Sequence, residues 1–105
     1  MKKLHISEDL RDLISNFTIE SFSASVGTIP AKGDKWGQTI QMNIPEGYKT
    51  LGIVGYRFSG SYYSYLSFST LYIDGNTIHY SLSNSNSSEA ATNITCSIDV
   101  LFQII

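Results

Sequence analysis

The clearest signal in the chain is its last segment. Across Thr92–Ile105 the residues Ile94, Cys96, Ile98, Val100, Phe102 and Ile104 alternate with Asn93, Thr95, Ser97, Asp99, Leu101, Gln103 and Ile105. A period of two over that length predicts a strand with one face in a core. Trp36, Ile40, Met42 and Ile44 give a second alternation, interrupted by Gln38 and closed by the turn signal Pro45-Glu46-Gly47. Thr18–Val26 predicts a first strand with Phe22, Ala24 and Val26 inward, and Ile29–Lys35 reads as a turn containing Pro and Gly. Leu66–Asp74 and Thr77–Ser83 predict a hairpin around Gly75-Asn76. A two-residue loop there sets Ile73 against Ile78, Leu71 against Tyr80 and Ser69 against Leu82, leaving Phe68, Tyr72 and His79 on the other face. Lys49–Ser59 is apolar on both faces, with Leu51 and Ile53 on one and Val54, Tyr56 and Phe58 on the other. Such a strand is expected to be covered on both sides. Gly52 and Gly55 inside it suggest a bulge or a close backbone approach.

The period is different before residue 18. In Ser7–Phe17, Leu10, Leu13, Ile14 and Phe17 fall at helical spacing. Ser7 is a candidate N-cap, with Glu8 and Asp9 in the first turn where the helix dipole favours negative charge. The prediction is an all-β domain, an antiparallel β-sandwich of jelly-roll-like form over residues 18–105. It is preceded by a short N-terminal α-helix or linker over residues 1–17. About six closely spaced strands with no helices between them fit that architecture.

Composition sharpens this picture. The chain has 105 residues, enough for one domain with a core that needs no disulfide or metal. Only 15% of residues are charged, the net charge is −2 and no basic run follows Met1-Lys2-Lys3. Phosphate backbones are bound by clustered Lys and Arg, so nucleic acid is excluded as a partner class. No segment approaches the roughly 20 apolar residues of a membrane-spanning helix, and the N-terminus lacks the apolar stretch of a signal peptide. The single cysteine, Cys96, lies in the alternating pattern of the last strand and reads as a small core residue.

Catalysis needs convergent groups, and the sequence is poor in them. Of its two histidines, His5 lies near the N-terminus and His79 reads as an ordinary strand residue. The acidic residues are scattered apart from Glu8, Asp9 and Asp12, which fit helix charge better than a metal site. No nucleophile elbow, phosphate loop or dinucleotide fingerprint occurs. The expectation is a protein that is not an enzyme and uses no metal or cofactor. Sequons at Asn16, Asn86 and Asn93 are what a chain rich in Asn, Ser and Thr contains by chance.

The aromatic, uncharged segment Gly60–Tyr65 is the candidate binding loop, with Tyr62, Tyr63 and Tyr65 as stacking residues. Tyr offers a flat apolar face and a hydroxyl at low entropic cost, suited to a sugar ring or a peptide. The competing reading is that these rings pack on their own domain or on a neighbouring subunit. The polar Asn84–Ser88 loop and the Ile29–Lys35 turn are the fallback sites. Trp36, which starts an alternating strand, reads as core or interface before it reads as a stacking platform.

The run Ile44-Pro45-Glu46-Gly47-Tyr48-Lys49-Thr50-Leu51-Gly52-Ile53-Val54-Gly55-Tyr56 resembles a phrase found in bacteriophage tail and baseplate-associated proteins of Gram-positive hosts. The hairpin, the Leu82–Ala90 Ser/Asn-rich stretch and the terminal strand through Val100-Leu101-Phe102 resemble the same proteins. The likeness covers residues 17–105 and is to a small C-terminal β-sandwich of tail fibres and receptor-binding proteins. It implies a homotrimer, contact with other virion tail proteins and attachment to a host surface, often through its saccharides. It implies location in the phage tail after synthesis in the bacterial cytoplasm. It carries over no functional residue position by position. A shaft and a virion anchor are expected elsewhere, on a longer protein of which this is a piece or on one to which it docks. The alternative is a carbohydrate-binding or adhesin-like module of a bacterial surface protein, using the same loop as a monomer.

Overall fold

The computed structural model describes residues 16–105. They form six strands: β1 Phe17–Ile29, β2 Asp34–Gln41, β3 Tyr48–Ser61, β4 Leu66–Asp74, β5 Thr77–Asn84 and β6 Ala91–Ile104. These make two antiparallel three-stranded sheets, the first in the order β1-β6-β3 and the second β2-β5-β4. The described residues are all-β, and the sheets share a single core. Ile94, Cys96, Ile98, Val100 and Phe102 of β6 are inaccessible to solvent, as are Ile78 and Leu82 of β5. The strongest alternation in the sequence thus belongs to the central strand of the first sheet, paired on both edges. The hairpin turn at Gly75-Asn76 also forms where the pattern places it. Among the described residues no helix is long and apolar enough to cross a membrane.

Of the seven register shifts in the ladders, four, in β2, β3 and β4, move side chains away from the faces that a simple period of two assigns. In β3 the register with β6 shifts between Thr50 and Gly52 and again between Ile53 and Gly55. The extra residues, Leu51 and Val54, are exposed, while Ile53 and Phe58 pair with Val100 and Cys96 and pack on the core; Tyr56 pairs with Ile98 but stays exposed. The two apolar faces expected for this strand are therefore one inward face plus two bulged residues. In β4 a shift between Phe68 and Thr70 makes Ser69 the extra residue. Phe68, not Ser69, then opposes Leu82 and joins the core. In β2 the shift falls between Lys35 and Gln38, and Trp36 is 63% exposed rather than buried.

The expected helix over Ser7–Phe17 is corrected at its end. Asn16 lies in a turn whose carbonyl accepts the Ile104 amide at 2.8 Å, and Phe17 is the first residue of β1. Residues 7–15 of that helix lie outside the described residues. The first strand also runs further than its pattern suggests, to a fully buried Ile29, leaving a shorter turn before β2.

The two sheets are joined at both edges. On one side Lys35 of β2 crosses to donate to the Val26 carbonyl of β1 at 2.8 Å, where a bulge interrupts the β1–β6 ladder. On the other side Phe58 of β3 and Phe68 of β4 pack with ring centroids 5.1 Å apart, and Tyr56 meets Phe68 edge-on at 4.9 Å. The chain crosses between sheets through a polar knot. Asn84 donates to the carbonyls of Ile29 and Glu89 and accepts the Asn86 amide, while Asn86 accepts the amides of Ser88 and Glu89. Both asparagines are buried, so most of this stretch's polarity satisfies backbone groups.

Candidate functional site

The connection from β3 to β4 carries the tyrosines singled out by the sequence. Gly60 and Ser61 still belong to β3, so the loop is shorter than its composition suggests. Tyr62 turns the chain in a left-handed conformation, with φ 61 and ψ 27, and Tyr63–Tyr65 form one turn of 3-10 helix. The Tyr65 amide donates to the Tyr62 carbonyl at 3.3 Å. The Tyr65 carbonyl accepts both the amide and the hydroxyl of Ser85, at 3.0 and 3.1 Å, which ties the turn to the end of β5.

All three rings are exposed, but they do not share one site. Tyr63 and Ser64 line an open cleft of about 450 Å³ together with Leu66 and with Tyr56, Arg57 and Phe58 of β3. Tyr62 and Tyr65 lie beside each other, centroids 6.4 Å apart, outside that lining. Tyr56, Arg57 and Phe58 were not legible as site residues, because the bulge at Val54 decides which way they face.

Arg57 is oriented by the outer face of the first sheet. Its Nη1 donates to both Asp99 carboxylate oxygens, at 3.1 and 2.9 Å, and Ser21 donates to the same carboxylate. The Ser21 hydroxyl first, and Arg57 next, hold the Asp99 carboxyl below its ordinary range. Gly55 makes room for this pair: a Cβ there would lie 3.2 Å from Asp99 Oδ2. The result is an aromatic cleft of mixed polarity, with a guanidinium and hydroxyls beside the rings. Such a surface stacks on and hydrogen-bonds a ring-shaped polar ligand.

The remaining reactive groups sit elsewhere. Cys96 is buried, and burial pushes its thiol up to about 11, so the thiolate is not formed near neutral pH. Burial, and then Cys96, push Tyr80 up to about 12. His79 lies on the outer face of the second sheet, stacked on Tyr72. Among the described residues no three His, Cys, Asp or Glu side chains converge as a metal site would require.

A second groove, of about 440 Å³, is lined by Phe17, Thr18, Ile19 and Leu101. Register sets it at the end of the first sheet where Tyr48 pairs with Ile104, close to both Asn16 and the C-terminus. Ile19 is 58% and Ile105 84% exposed there. Ser61 pairs with Thr92 at the far end of the same sheet, so the tyrosine turn lies at the end opposite the termini. In comparisons with family models, with curated proteins and with solved structures, nothing matches this chain.

Proposed function

We propose that the chain is an attachment head of a phage or prophage tail, which binds a saccharide of the host surface rather than catalysing a reaction. In this reading the two sheets form a jelly-roll-like β-sandwich. The spacing of Leu10, Leu13 and Ile14 supports a short helix ahead of it. Three copies assemble around the apolar end that carries Phe17, Ile19, Leu101 and Ile105, where other virion tail proteins also dock. Exposed apolar surface of this kind marks an interface. The phage assignment, its location in the tail and the number of copies rest on the resemblance of the Ile44–Tyr56 run and the terminal strand to tail proteins.

One observation carries the proposal: the aromatic cleft of Tyr56, Arg57, Phe58 and Tyr63 lies at the end away from the termini. A head tethered at one end meets its target with the other. Three copies of a weak site would give avidity without new contacts. The alternative, a monomeric carbohydrate-binding module of a bacterial surface protein, would use the same cleft and leave the apolar end to a neighbouring domain.

The test is binding to polysaccharide released from Gram-positive cell walls. Tyr63→Ser is expected to weaken binding about tenfold, the worth of one aromatic stack, with little change in melting temperature. Tyr62→Ser, outside the cleft, is expected to change it less than about twofold. Equal binding by wild type and Tyr63→Ser would remove the cleft from this role.

A further inference from the structure

We infer that the outer face of the second sheet is a separate platform for an extended, neutral glycan, centred on Trp36 and the Tyr72–His79 stack. The inference rests on the reading of this domain as a saccharide binder, but it uses different residues on a different sheet.

The bulge in β2 is the first observation. Strict alternation from Ile40 through Gln38 would turn Trp36 toward the core. The shift between Lys35 and Gln38 instead sets Trp36 and Gly37 together against β5. Gly37 takes φ 66, its amide donates to Ser81 Oγ at 3.3 Å, and Gln38 Nε2 donates back to the Trp36 carbonyl at 2.9 Å. Bulges re-aim side chains, and this one leaves the chain's single tryptophan in solvent.

The second observation is the ring pair on the neighbouring strands. Tyr72 of β4 and His79 of β5 are paired residues, stacked with centroids 4.8 Å apart and planes 11° from parallel. Tyr72 remains 54% exposed. Each ring holds the other in place, so less freedom is lost when a ligand stacks on them. Strand spacing puts β2 and β4, and with them Trp36 and Tyr72, on the order of 10 Å apart across the sheet. An oligosaccharide of a few rings spans that distance.

The third observation selects the ligand class. The rest of this face is Ser, Thr and Gln, with Asp34 and Asp74 as its carboxylates and no Lys or Arg. Lys35 turns inward to Val26. An anionic polymer would meet only like charge here. Aliphatic residues, which a protein partner would bury, are also missing from the face. Aromatic faces bordered by hydroxyls and amides complement the apolar faces and equatorial hydroxyls of neutral sugars.

Trp36 makes the test direct, because its emission reports on this face alone. The full chain is titrated with cellohexaose and with chitohexaose, and with heparin as the anionic control. A saturable change in Trp36 emission is expected with at least one neutral hexasaccharide and not with heparin. Tyr72→Ser should weaken that binding about tenfold, and Trp36→Phe should retain more of it by calorimetry than Trp36→Ser. Tyr63→Ser should leave it unchanged. Silence with both neutral sugars, preference for heparin, equal affinity in Tyr72→Ser, or an emission change produced by protein concentration alone would overturn the platform. If Trp36 is silent while Tyr63→Ser still loses cell-wall binding, the platform fails and the attachment reading stands. If Trp36 responds while Tyr63→Ser binds cell walls normally, the cleft fails and the platform stands.

Discussion

Replacing Gly60 by alanine is expected to destabilise the domain by about 3–4 kcal/mol, a large share of the stability of a domain this size. Gly60 sits near the end of β3 at φ 122, where a side chain is strongly disfavoured. A Cβ there would lie 2.6 Å from the Asn93 carbonyl oxygen, 2.7 Å from that of Thr92 and 2.8 Å from Ile94 Cδ1. Two of these contacts are backbone, so no rotamer change relieves them. Asn93 itself is held at φ 54 in the irregular start of β6, where the registers with both β1 and β3 shift and skip it. Gly75→Ala is the internal control. Gly75 has φ 62 but nothing within 4 Å of the added methyl, and about 1 kcal/mol is expected. Urea unfolding of both variants measures the difference. A Gly60→Ala loss as small as that of Gly75→Ala would mean that β3 and β6 do not approach as described.

Ile98→Ala is expected to cost about 3–4 kcal/mol, within the range for deleting a buried aliphatic side chain. Ile98 is inaccessible to solvent in the middle of β6, between Phe22 of β1 and Tyr56 of β3. Its neighbours Cys96 and Val100 are equally buried, so the cavity has little freedom to collapse. Leu101→Ala, on the opposite face of the same strand, is expected to cost about 1 kcal/mol. Thermal and urea unfolding should rank the two in that order. The reverse order would put the wrong face of β6 in the core.

The contrast between these two positions shows why part of the fold was legible. From Ile94 to Phe102 the inward residues keep an unbroken period of two, and β4 and β5 meet at a turn whose residues are Gly and Asn. Local pattern and tertiary environment agree there, so strand, face and pairing can be read from residues alone. The pattern misleads wherever a bulge adds a residue. Leu51, Val54 and Ser69 each reverse the face of the residues on one side of them, and the bulge at Trp36 turns a residue expected in a core or an interface away from this core. Gly52 and Gly55 hinted at such irregularities in β3 without saying which neighbour would be displaced, and nothing marked those in β2 and β4.

The candidate cleft was half legible for the same reason. Tyr63 stands out because it lies in an uncharged aromatic run. Tyr56 and Arg57 do not, because their position depends on the Val54 bulge and on Phe68 arriving from the other sheet. The Ser/Asn-rich stretch misleads in another way. Composition makes it look solvated, yet Asn84 and Asn86 are buried and spend their side chains on backbone groups. Asn-x-Asn-x-Ser spacing is compatible with such turns, but the carbonyl of Ile29 that completes the knot is distant in sequence.

The central claim is that the apolar end near the termini is covered by copies of the same chain while the aromatic end stays free. Light scattering on the full chain at high micromolar concentration tests it most directly. The account predicts a trimer, three times the 11.6 kDa of one chain; a monomer at that concentration would contradict it.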